Sequence, residues 1–147
     1  MPTRNATASW EGGQKGKGSF TGESGTIGGS YSFGSRFAEE KGTTPEELLA
    51  AAEAACYSMA LGLALEQAGA KPTKVETRAA CTVEKQAQGG FKITTMKLVT
   101  RVTAQDIDDA KLQQVAQATK AGCPVSVALA GVQIDVQATL ERQAASV

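Results

Sequence analysis

The run LLAAAEAACYSMALGLAL, residues 48–65, carries a single charge, Glu53, and is apolar on every face of a helical projection. A helix of that kind must be covered on all sides, by lipid or by protein. Its eighteen residues approach the length needed to cross a bilayer. Its composition points to protein: alanine drives insertion weakly, and no cluster of Lys or Arg flanks either end. One small sheet covers only part of such a helix. The remaining face is therefore expected to be covered by a second copy of the chain, in an obligate homodimer. The start of the helix is marked by Thr44 as N-cap, Pro45 at the first helical position and Glu47 three residues after the cap. The acidic pair Glu46-Glu47 suits the positive end of the helix dipole. Gly69 and Pro72 mark its end.

The flanking segments read as strands and shorter helices. Residues 5–35 are rich in Gly, Ser and Thr and read as short strands joined by glycine turns, with no helix. Within them GGQKGKGS has a loose likeness to a phosphate loop, but Lys17 is followed by Gly18 rather than Ser or Thr, and no helix follows. Residues 73–85 and 91–104, separated by QAQGG, predict an antiparallel hairpin, with Val75, Thr77, Ala79, Cys81 and Val83 alternating in the first strand. A helix is expected over 106–122, a short helical piece from Pro124, and a last alternating strand over 132–141. The fold class is α+β: an antiparallel sheet packed around a long buried central helix, in a single domain spanning residues 1–147.

Composition narrows the chemistry. The 15 basic and 15 acidic residues balance, and no long run of either sign occurs, which argues against nucleic acid or an anionic membrane as partner. There is no histidine, hence no Ser-His or Cys-His pair and no imidazole metal ligand. The three cysteines, Cys56, Cys81 and Cys123, are an odd number without C-x-x-C spacing, which fits neither a disulfide framework nor a zinc site. The N-terminus lacks an apolar signal core, so a cytoplasmic location is expected.

The thiols differ by setting. Cys56 lies mid-helix among apolar neighbours, where burial raises a thiol pKa and a cysteine is ordinarily a small core residue. Cys123 lies between Gly122 and Pro124, at the start of a new helix, where unpaired amides favour thiolate. Cys81, mid-strand, reads as structural. A reactive Cys56 would need a cation, and without histidine that leaves lysine or arginine. Arg36, in the loop before the helix, has a guanidinium fork that can hold a carboxylate and a thiolate together, with Glu46 or Glu47 as its carboxylate. Glu46 and Cys56 are ten residues apart, and in an unbroken helix that is about 15 Å of rise. An Arg-Glu-Cys cluster would therefore draw Arg36 and Glu46 from the partner subunit.

RFAEEKGTTPEELLAAAEAACYSMAL, followed much later by AGCPVS, resembles the OsmC/Ohr family of thiol-dependent hydroperoxide reductases. The opening SWEGGQKGKGSFTGESG and the RFAEEKG segment are most similar to its OsmC (osmotically inducible protein C) branch. The likeness covers nearly the whole chain. It implies an intertwined homodimer with composite active sites at the interface. It implies reduction of organic hydroperoxides, and more weakly hydrogen peroxide, in oxidative and osmotic stress defence. No metal, flavin or other cofactor is implied, and the implied reductant is a lipoyl-type dithiol. By position, Cys56 matches the peroxide-attacking cysteine and Cys123 the resolving cysteine. Arg36 and Glu46 match the charged pair that activates the first thiol, and Glu47 matches a second acidic position. Cys81 matches no functional position. The apolar Leu48, Leu49, Met59 and Leu63, with Phe33, Phe37 and Tyr57 nearby in sequence, suit an alkyl tail or equally a dimer core. The rival reading is a non-catalytic redox-sensing or structural dimer.

Overall fold

The computed structural model describes residues 1–142 and divides into two compact units, Met1–Leu48 and Leu49–Val147. In the first unit, strands β1 (Ala6–Glu11), β2 (Lys17–Gly22) and β3 (Gly28–Ser32) form an antiparallel meander in that order. Gly18 is required where it stands. Tyr31 of β3 lies across it and donates its hydroxyl to the Ser9 carbonyl at 3.1 Å, and a Cβ there would sit 2.6 Å from the Tyr31 ring. A short helix α1 (Phe33–Phe37) follows, where sequence reading expected none. Ser32 caps it by accepting from the Ser35 amide at 2.9 Å, and the Ser35 hydroxyl accepts from the Ser32 amide at 2.9 Å. No apolar side chain of this unit is buried.

Helix α2 (Pro45–Gln67) begins where expected. The Glu47 amide donates to Thr44 Oγ1 at 3.0 Å, which supplies half of the anticipated capping box. Gly69, at φ +89°, turns the chain out of the helix, a conformation that favours glycine. The helix is long and apolar enough to cross a membrane by length and composition. Beyond Glu46 in its first turn, its buried side chains nevertheless recur every fourth residue, Glu53, Tyr57, Leu61 and Leu65, and the three apolar ones belong to the protein core. Burial on all sides is not achieved within one chain: Ala52, Ala55, Met59 and Leu63 form an exposed stripe.

In the second unit, β4 (Lys71–Lys85) and β5 (Phe91–Gln105) form the expected antiparallel hairpin, with Cys81 opposite Met96. Central strand β5 buries Met96, Leu98, Thr100, Val102 and Ala104, a period of two that fixes which face meets the core. Helices α3 (Asp109–Gly122) and α4 (Pro124–Ala128) then cross over to β6 (Gln133–Glu141). The connection returns the chain to the end of the sheet from which β5 started, so β6 pairs with β5 in parallel, Leu98 opposite Val136. The sheet is therefore mixed, in order β4-β5-β6, rather than antiparallel throughout. Asp108 caps α3 through the Lys111 amide at 2.7 Å, and Leu112, Val115 and Ala116 turn into the core. The Gln113 side chain ties α3 to β6 by donating to the Ala138 carbonyl at 2.9 Å.

Candidate active site

Cys56 and Cys123 are 67 residues apart in sequence, and their sulfurs lie 3.1 Å apart. Cys56 projects from the middle of α2. Cys123 is the hinge between α3 and α4: its amide donates to the Thr119 carbonyl at 2.8 Å, closing α3, and its carbonyl accepts from the Val127 amide at 2.9 Å, opening α4. Pro124 at the first position of α4 lacks an amide hydrogen and is pre-set for the turn. The sulfurs are further apart than the ~2.05 Å of a disulfide bond, so the pair is a reduced dithiol in contact.

The two thiols are tuned in opposite directions. Burial pushes the Cys56 thiol up, aided by the Cys123 thiol and the Glu53 charge and opposed by the Val125 amide. Burial acts on Cys123 as well. There the Ser126 amide, the Cys56 thiol, the Ser126 hydroxyl and the Val125 amide outweigh it, and its pKa lies below the ordinary thiol value. Among the described residues, the charges that act on Cys56 are those of Cys123 and Glu53, neither of them a cation.

Beside this pair lies a carboxylate that sequence reading did not single out. Glu53 is fully buried, one helical turn before Cys56, and accepts a hydrogen bond from the Ser126 hydroxyl, one turn after Cys123. The available signal was positional: Glu53 is the one charge in the apolar run, at i−3 from Cys56, and Ser126 is at i+3 from Cys123. Tyr57, also fully buried, donates its hydroxyl to the Ala116 carbonyl at 2.9 Å, which anchors α2 to α3. Burial, with the Cys123 and Glu53 charges, raises its phenol well above the ordinary value, so this donor stays protonated.

In the first unit, α1 aims Arg36 at Glu46. Nε lies 2.9 Å from Oε1 and 3.1 Å from Oε2, and Nη2 also bonds Oε1. Glu46 is buried and Arg36 about one-third exposed (35% for its side chain), packed 5.1 Å above the Phe37 ring. The carboxylate occupies one edge of the guanidinium, and among the described residues Glu46 is its sole acceptor. Of the two candidate carboxylates, the structure brings Glu46 to Arg36. Glu47 is exposed, and its backbone amide is engaged by the Thr44 cap. The five sequence-derived candidates thus fall into two groups, the Cys56–Cys123 dithiol and the Arg36–Glu46 pair, with Glu47 outside both. Among the described residues no group of three or more His, Cys, Asp or Glu is arranged to hold a metal ion. Cys81, on β4 opposite Met96, is partly buried against the core.

A helix-borne thiol touching a second, more acidic thiol defines a dithiol redox protein. The chain belongs to the OsmC-like protein family, whose model matches residues 38–137. It is 44% identical over 137 residues to Peroxiredoxin OsmC of Escherichia coli (strain K12), a match covering 91% of this chain and 95% of that protein. It is 34% identical over 103 residues to the Organic hydroperoxide resistance protein OhrB of Bacillus subtilis (strain 168), covering 69% of this chain and 72% of that one. The crystal structure of OhrB superimposes with a TM-score of 0.69 at 27% identity, over 92% of this chain and 98% of that chain.

Proposed function

We propose that this chain is a thiol-dependent peroxidase that reduces organic hydroperoxides, and more weakly hydrogen peroxide, to alcohol and water. The observation that carries the reading is the Cys56–Cys123 contact at 3.1 Å in a member of the OsmC-like family. The Cys56 thiolate attacks the distal oxygen of R–O–O–H: an S–O bond forms, the O–O bond breaks, and the alkoxide leaves to be protonated as alcohol. Cys56 is then a sulfenic acid. The Cys123 sulfur displaces its oxygen as water and closes a disulfide. A dithiol reductant, of the lipoyl type, reopens it by exchange.

The first step needs a thiolate on Cys56, and within one chain burial disfavours it. The missing element is a cation, which the partner subunit supplies as Arg36 oriented by its Glu46. Several features support such a homodimer. Helix α2 is continuous, so Glu46 and Cys56 are separated by about 15 Å of rise. The first unit leaves its apolar side chains unburied, and a small three-stranded sheet needs something to pack against. The exposed stripe of Ala52, Ala55, Met59 and Leu63 offers small residues over which a second copy can pack closely. Glu47 is proposed to act at the rim of the same site. An apolar cavity of about 170 Å³ in the first unit, lined by Phe20, Tyr31, Pro45 and Leu48, adjoins Glu46 in sequence and suits an alkyl tail.

Reduced protein treated with a stoichiometric amount of cumene hydroperoxide and then counted for thiols tests this reading. The expected result is rapid loss of Cys56 and Cys123 into one disulfide with Cys81 spared. Continued turnover is expected when a dithiol is supplied. Slow, unselective oxidation of all three cysteines would mean that the thiols are structural, and selective oxidation without turnover would mean a redox sensor.

A further inference from the structure

Glu53 has no exposed surface and makes no ion pair among the described residues. Its Oε1 accepts from Ser126 Oγ, and its Oε2 is buried without a hydrogen-bond partner. The titratable groups around it are Cys56 and Tyr57 on its own helix and Cys123 at the α3–α4 hinge. Tyr57 has committed its one hydroxyl proton to the Ala116 carbonyl, and the chain has no histidine. Glu53 is thus the proton carrier available beside the dithiol.

Ser126 has one hydroxyl proton and two acceptors within reach, Glu53 Oε1 and the Cys123 sulfur. The Ser126 hydroxyl therefore links Cys123 to Glu53. Disulfide closure has to move a proton. The S–S bond forms as the Cys56 S–O bond breaks, Cys123 sulfur is oxidised and Cys56 sulfur reduced, and the departing hydroxide needs a proton to leave as water.

We propose that Glu53, acting through Ser126, is the proton relay of disulfide closure: it takes the Cys123 thiol proton and returns it to the hydroxide leaving Cys56. The inference rests on the assignment of Cys56 as the attacking and Cys123 as the resolving thiol. The carboxyl is placed to serve both ends, since Oε1 faces the Ser126–Cys123 side and the unpartnered Oε2 belongs to a residue one helical turn from Cys56. Ser126 engages both Glu53 and Cys123, and neither Glu53 nor Ser126 is assigned a contact with the peroxide.

The test is a single-turnover experiment on the reduced, full-length protein. One equivalent of cumene hydroperoxide is added, and Cys56 sulfenic acid and disulfide are followed separately by quenched-flow mass spectrometry in H2O and in D2O. Wild-type protein is expected to close its disulfide with a solvent isotope effect and little accumulated sulfenic acid. Glu53→Gln keeps the shape of the side chain and removes the proton acceptor. It is expected to slow closure on the order of 10²-fold, accumulate sulfenic acid and abolish the isotope effect. Ser126→Ala, which keeps the carboxyl and breaks the connection, is expected to do the same and guards against a Glu53 variant that does not fold. Closure at the wild-type rate in either folded variant would overturn the relay. So would slowing with the isotope effect retained, which would make Glu53 merely structural. If wild-type protein itself formed no Cys56–Cys123 disulfide, the thiol assignment would fail and the relay with it, a result visible before any variant is made.

Discussion

Cys56→Ser is expected to consume no hydroperoxide above the uncatalysed background, whereas Cys123→Ser consumes about a single equivalent per chain and stops. The two outcomes differ because the cysteines hold different posts in the proposed reaction. A serine hydroxyl at position 56 is too weakly acidic to be ionised in a site where burial already holds the native thiol up, and it cannot carry the oxygen as a sulfenic acid. At position 123 a serine leaves the first attack intact and removes the sulfur that lies 3.1 Å away to resolve it. Cys56 sulfenic acid should then persist, trappable by dimedone and visible as a mass increase of one oxygen. Coupled turnover with a dithiol is expected to vanish in the first variant and to fall severely in the second. Equal residual turnover in both would contradict the division of labour.

The second large effect is expected at Arg36. Arg36→Met should slow the first step on the order of 10²–10³-fold, the scale for loss of a preorganised charge at a developing anion. It should also change the pH dependence. The Cys56 thiol is raised by burial, so without a cation its thiolate fraction is small at neutral pH and grows as pH rises. In the variant the rate of sulfenic acid formation should climb toward alkaline pH, while wild-type protein reaches its plateau at lower pH. Arg36→Lys keeps the charge and loses the fork that engages Glu46 through Nε and Nη2, and is expected to be severely impaired as well. Stopped-flow measurement of the first step against pH separates the outcomes. A variant with the wild-type profile would remove Arg36 from the activation of Cys56.

Much of the fold was legible because it is written locally. Thr44, Pro45 and Gly69 mark the ends of α2, and the observed helix keeps those bounds to within two residues. The β4–β5 hairpin follows from alternation either side of a Gly-Gly turn. The features that were not legible depend on distant partners. Helix α1 is five residues long, and its Ser32–Ser35 box hides in a segment where serine and glycine also mean turns. Strand β6 looks the same in sequence whether it pairs parallel or antiparallel, and the α3–α4 crossover decides.

The site divides in the same way. The greater acidity of Cys123 was readable from Gly122 and Pro124 around it, and the direction agrees: the nearby Ser126 and Val125 amides lower its thiol. The meeting of Cys56 with Cys123 was not readable from local pattern, because a contact across 67 residues leaves no periodic trace, and it came through family resemblance. Between Glu46 and Glu47 local sequence offered no preference. The helix chooses, turning Glu46 inward to Arg36 and Glu47 to solvent. Glu53 was visible as the one charge of the apolar run, but its role was not, because only the packed structure brings it to Ser126.

In the proposed dimer each site is built from two chains, Cys56 and Cys123 from one protomer and Arg36 with Glu46 from its partner. Co-expression of Cys56→Ser and Arg36→Met chains carrying different affinity tags, followed by sequential purification, yields dimers that hold one chain of each kind. Each parent homodimer is expected to be nearly inactive. In the mixed dimer the Arg36→Met chain brings an intact Cys56 to the intact Arg36 of the Cys56→Ser chain, which restores one whole site in two. Its peroxidase activity is expected to be about half that of wild type. A mixed dimer as inactive as its parents would place Arg36 and Cys56 of the same chain in one site and contradict the account.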